Sequence, residues 1–219
     1  MLAAFVVGAV LGIVANSVPT EAPKSLAVKL IRRCAQQRDC LREKIVRGMK
    51  DETSKVWSFF DVRIDWIDPW DAPTSAVDVT VLLEESAAPN VVSRTGVVVL
   101  AALQLPDTPC GPGVARVWVT EARRYAALIP DVHFPSLPPR LSDVFLSRAL
   151  GRALAHEIGH YLLGTSRHTP RGLMRARFLP LELPESATRQ RYGLDPVDRD
   201  ALRLCRPVAT SQEGLRAVR

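Results

Sequence analysis

Three of the chain's four histidines fall in one stretch, HEIGHYLLGTSRHTPRGLM, from His156 to Met174. His156 and His160 are four residues apart, the interval that stacks two side chains on one face of a helix. Their Cβ atoms then stand about 5–6 Å apart, and two imidazoles at that separation can reach one zinc ion with bonds of about 2.0–2.1 Å. Glu157 follows the first histidine and lies off their common axis. It would face the open side of such a site rather than the ion. HExxH therefore reads as two ligands and a general base on one helical turn, in which the metal acidifies a water and the glutamate takes its proton.

A catalytic zinc site takes three protein ligands and keeps a fourth position open. The candidate for the third is His168, eight residues past His160. On a continuing helix that offset is about 12 Å of axial rise, too far for the same ion. The helix has to stop and the chain has to fold back. Gly164 is where it would stop, because glycine enters the left-handed conformation that ends helices at little cost. The short polar run 165–167 would then return His168. His133 sits in a Pro-rich connector and reads as a surface loop residue.

Positioning such a turn requires a core, and 219 residues with 47% hydrophobic content supply one domain's worth. The net charge of +6 comes from 29 basic and 23 acidic residues without a run of five basics. That is a solvated basic surface and argues against a nucleic-acid partner. The four cysteines, Cys34, Cys40, Cys110 and Cys205, contain no CxxC pair, which excludes a Cys-based zinc ribbon. Their even number fits an exported protein with up to two disulfides. Leu2 to Ala15 are apolar without a break, the length of a signal-peptide core and short for a membrane span. The expected organisation is a signal peptide or membrane anchor over 1–22, with attachment through 2–18, a single domain over 23–208, and a disordered tail over 209–219. The expected location is outside the cytoplasm: secreted, periplasmic or membrane-anchored.

Apolar spacing predicts an amphipathic helix over about 25–50, interrupted near 37–39. On that reading Cys34 and Cys40 are about 9 Å apart along the helix, and each would pair with Cys110 or Cys205 instead. Alternation predicts strands over 60–67 and 76–85. The apolar run 96–105 reads as a strand at the centre of a sheet, and 114–129 as a strand turning helical near Thr120. The long helix carrying the histidines would be capped by Ser142, with Asp143 at its positive end and Val144 among its buried residues. A last short helix would begin at Pro196 behind Asp195. The fold class is α+β, a mixed twisted sheet with flanking helices.

The motif, a glycine at the helix end, a third histidine and a nearby Met174 together resemble the metzincin zinc metallopeptidases, whose pattern is HExxHxxGxxH followed by a turn containing methionine. The resemblance implies a zinc-dependent endopeptidase acting on peptide or protein substrates, with zinc on His156, His160 and His168. It further implies Glu157 as the base, Met174 in a turn beneath the metal, and substrate extended along a sheet-edge strand within 115–120. Two spacings depart from the family: the glycine lies four residues after the second histidine rather than three, and the third histidine eight rather than six. No tyrosine lies two residues after Met174, which leaves Tyr192 as the candidate for an oxyanion helper. HEIGHYLLG is also similar to intracellular metallopeptidases that cleave phage-type repressors. That resemblance would make the third ligand a later carboxylate, Glu182, Glu185 or Asp195. A zinc-stabilised binding module without activity is the third reading.

Overall fold

The structure is a computed structural model, and it describes residues 24–34, 40–68, 77–85, 99–106, 108, 111–130 and 136–202. His133, Cys110, Cys205, the apolar leader and the 209–219 tail all lie outside the described residues. Among the described residues, no helix is long and apolar enough to cross a membrane.

Five strands form one mixed sheet: β1 (Lys24–Arg33), β2 (Val62–Ile67), β3 (Val79–Glu84), β4 (Ala101–Gln104) and β5 (Gly113–Trp118). Their spatial order is β2-β1-β3-β5-β4. The first four in that order run parallel, and β4 pairs antiparallel with β5 at the edge. The described residues also form helices α1 (Glu43–Ser58), α2 (Val119–Ala126), α3 (Pro139–Leu163) and α4 (Pro196–Asp200). The architecture is α+β with a mixed five-stranded sheet and flanking helices.

Several expectations change. Residues 24–33 form a strand, where the apolar spacing predicted the start of a helix over 25–50. Leu26 and Leu30 are four apart, and an interval of four satisfies a period of two as well as one of 3.6. Burial settles it: Leu26, Val28 and Leu30 face the core while Ala27 and Lys29 are half-covered. Cys34 and Cys40 are bonded to each other, with Cα atoms 5.3 Å apart; Cys34 follows the end of a strand and does not lie in a helix. β4 lies at the edge of the sheet, not its centre; its apolar run continues into residues outside the described set, and Ala101 is its one buried position. Residues 115–118 belong to β5, an interior strand, so the exposed edge near the long helix is β4 and not 115–120. The long helix begins at Pro139 rather than behind Ser142, since proline fits the first helical position, where no donor is needed. Val144 is 40% exposed. Asp143 lies in the helix, where it pairs with Arg42 and Lys44. The change from β5 to α2 falls at Val119, and Asp195 caps α4 by accepting a hydrogen bond from the Val197 N–H.

From Ala149 to Leu162 every residue of α3 is buried. A helix covered on all sides sits in a core, and α1 packs along this one. The Trp57 indole donates to the Ala155 carbonyl at 3.2 Å, and the Thr53 hydroxyl donates to Gly151 O at 3.0 Å. Polar side chains on so buried a stretch need partners. Arg152 finds them: its guanidinium donates to Glu52 at 2.7 Å and to the Glu182 carbonyl at 2.8 Å. The remaining polar side chains of the stretch include His156, Glu157 and His160, all on one turn.

Candidate metal centre

The end of α3 builds the site. Gly164 takes the left-handed conformation, with φ 60° and ψ 34°. Its N–H donates to Tyr161 O at 3.2 Å, and the Thr165 N–H donates to His160 O at 3.2 Å, the paired bonds of a Schellman cap. The same cap sets the Thr165 carbonyl beside His160, where it accepts from His160 Nδ1 at 2.7 Å. A second turn serves His156. Thr169 N–H donates to Met174 O at 2.8 Å and Leu173 N–H to Gly193 O at 3.0 Å, closing the chain between them. The Leu173 carbonyl then accepts from His156 Nδ1 at 2.8 Å. Met174, at the end of this turn, is buried against Gly159: a Cβ at position 159 would stand 2.3 Å from Met174 Sδ.

The two carbonyls fix the tautomers. With Nδ1–H spent on them, neutral rings present unprotonated Nε2 atoms, and these two lie 3.0 Å apart. Burial holds both imidazoles neutral. It pushes His156 down to about 4 against the pull of the Leu173 hydrogen bond, and it lowers His160 likewise. Two lone pairs facing each other at this distance repel; a cation between them turns the repulsion into two bonds. In a tetrahedral zinc site, bonds of about 2.0–2.1 Å place ligand atoms about 3.3 Å apart. The third ring is present as well. His168 stacks parallel to His156 with centroids 5.2 Å apart and stands edge-on to His160 at 5.0 Å. One nitrogen from each of the three lies within 4.8 Å of the others. The donor set and its orientation could hold a metal ion that takes imidazole ligands, with the carbonyl-bound Nδ1–H groups supplying the outer contacts that metal-bound histidines use.

Glu157 sits beside the cluster, and burial pushes its carboxyl up to about 7, opposed by a hydrogen bond from the Leu103 backbone on β4. It opens on a cleft of about 540 Å³. One wall of the cleft is β4, the other is the segment from Arg175 to Pro180, and its floor is the α3 turn with the histidines.

The structure places the other candidates elsewhere. Glu182 pairs with Arg175 and accepts from the Tyr192 hydroxyl at 3.4 Å. Glu185 pairs with Arg191 at 2.7 Å, and Asp195 caps α4. None joins the three histidines. Tyr192 is fully buried and stacks on Phe178, and burial pushes its phenol up to about 12, so it braces the fold instead of facing the cleft. Sequence reasoning missed the network of Arg152, Glu52, Glu182 and Arg175 that ties the segment after the metal turn onto α3. A signal was there: an arginine among apolar residues of a helix that the core must bury.

No family model matches the chain. No curated protein matches it either. Among solved structures, a chain of the one titled "GM1 bound form of the ECX AB5 holotoxin" is similar at 14% identity with a TM-score of 0.39, over 80% of this chain and 77% of that one. A similarity at that level carries no argument about function.

Proposed function

We propose that this chain is a zinc-dependent metallopeptidase of the metzincin-like kind, with zinc on His156, His160 and His168. The observation that carries the reading is the pair of Nε2 atoms 3.0 Å apart whose opposite nitrogens are both held by backbone carbonyls. Among the described residues nothing else compensates that arrangement, and His168 adds the third donor. Zinc, when bound, supplies Lewis acidity that polarises a carbonyl and lowers the pKa of a water. Glu157 takes the water's proton and delivers it to the departing amine, a task suited to a carboxyl held near neutrality. The edge of β4, unpaired among the described residues, would align an extended peptide by adding a strand to the sheet. The placement of Glu182, Glu185 and Asp195 supports the all-histidine set over a carboxylate ligand. An exported location follows the reading of the leader and remains part of the proposal.

Glu157→Gln tests it. The variant should bind zinc as the wild type does and lose at least a hundredfold in peptide hydrolysis, measured on a quenched-fluorescence peptide library. Zinc binding by both proteins with no hydrolysis by the wild type would leave a zinc-stabilised binding module.

A further inference from the structure

His156 and His160 are each oriented by a carbonyl, but among the described residues no hydrogen bond holds the His168 ring. It is exposed, with a tether on either side in the chain. Downstream, the Thr169 N–H donates to Met174 O at 2.8 Å and the Thr169 hydroxyl to Arg171 O at 2.7 Å. Upstream, the Arg167 N–H donates to the Thr165 hydroxyl at 3.1 Å, and the Arg167 guanidinium reaches Asp198 at 2.6 Å. Asp198 lies in the first turn of α4, 31 residues later, with its side chain 6% exposed.

We propose that Asp198 is a positioning residue for the third ligand: through Arg167 it holds the loop that returns His168 to the two histidines of α3. The inference rests on the metal reading above and goes beyond it, since it couples the far C-terminal helix to the metal site. An exposed ion pair is ordinarily worth little, because both side chains give up freedom to form it. Here the acid is already immobile. Its burial keeps it in place, so only the arginine is ordered by pairing. The loop is the element that needs such a tether. It spans eight residues from His160 to His168, its first half ends a helix at Gly164, and the ligand it carries has no hydrogen bond of its own.

The test measures zinc affinity by competition with a chelator, in the full chain, for Asp198→Asn and Arg167→Met, each alone and in a His168→Ala background. Melting of the zinc-free proteins is followed alongside. Each single variant should bind zinc roughly tenfold more weakly, the low end of what outer contacts of a metal site contribute. Arg167→Lys should recover part of that loss, because the charge is kept. In the His168→Ala background neither change should weaken zinc further. Unchanged affinity in both variants overturns the proposal, and so does an equal loss in the His168→Ala background. Arg167→Met, a change at a side chain 60% exposed, keeps the test valid if Asp198→Asn folds poorly. A wild-type chain that binds no zinc overturns the metal reading itself, and this inference with it.

Discussion

Gly159→Ala probes the contact beneath the metal turn. Alone on a helix the change would help, since alanine is better than glycine in a helix interior by about 1 kcal/mol. In this chain the new methyl would stand 2.3 Å from Met174 Sδ and 3.1 Å from Met174 Cε. Met174 is 1% exposed, so its sulfur has no free space to enter. Overpacking of this kind costs about 1–3 kcal/mol, which leaves Gly159→Ala destabilising by about 1 kcal/mol net. Met174→Ala alone opens a cavity at a cost of about 2–5 kcal/mol. Combined, the methyl at 159 moves into the space the sulfur left. The double variant should therefore be more stable than the sum of the single effects by at least about 1 kcal/mol. Urea unfolding of the four zinc-free proteins measures the cycle, with equal slopes as the check that the unfolded states match. Effects that add to within about 0.5 kcal/mol would refute the packing of Met174 on Gly159.

The remaining expectations concern buried charge. In zinc-free protein, Glu157 has its carboxyl raised from 4.5 to about 7 by burial. A raised carboxyl contributes stability that is fully present below the unfolded value and is lost as pH rises through the folded one. The wild type should therefore lose stability relative to Glu157→Gln between pH 4.5 and about 7, by up to about 3 kcal/mol at about 1.4 kcal/mol per unit; melting curves that stay parallel across this range would contradict it. Arg152→Met should destabilise by about 3–5 kcal/mol, because it strands the Glu52 carboxylate, and adding Glu52→Leu should recover most of that loss. Chemical denaturation of the single and double variants measures both, and no recovery would show that Arg152 acts through the Glu182 and Glu185 carbonyls instead.

What could be read in the sequence followed from local rules. The interval between His156 and His160 dictated a shared face, and Gly164 dictated the helix end, because both depend only on helix geometry. Asp195 and Pro196 marked the start of α4 for the same reason. The misreadings involve tertiary neighbours. Leu26 and Leu30 fit a helix and a strand equally well until β2 and β3 pair on either side of them. The cysteine pairing was misjudged through that same error. The apolar character of β4 suggested the centre of a sheet, yet it lies at the edge, where it walls the cleft and buries only Ala101. The carbonyls of Thr165 and Leu173 that set the histidine tautomers are invisible to any reading of side chains. The clamp between Arg167 and Asp198 joins residues that only the folded chain brings together.

The central claim is that three histidines hold one zinc. Zinc-edge X-ray absorption of the loaded wild-type chain and of His168→Ala tests it most directly. The account predicts three imidazole nitrogens at about 2.0–2.1 Å in the wild type and two in the variant. The same imidazole count in both proteins, or a carboxylate in place of the third ring in the wild type, would contradict it.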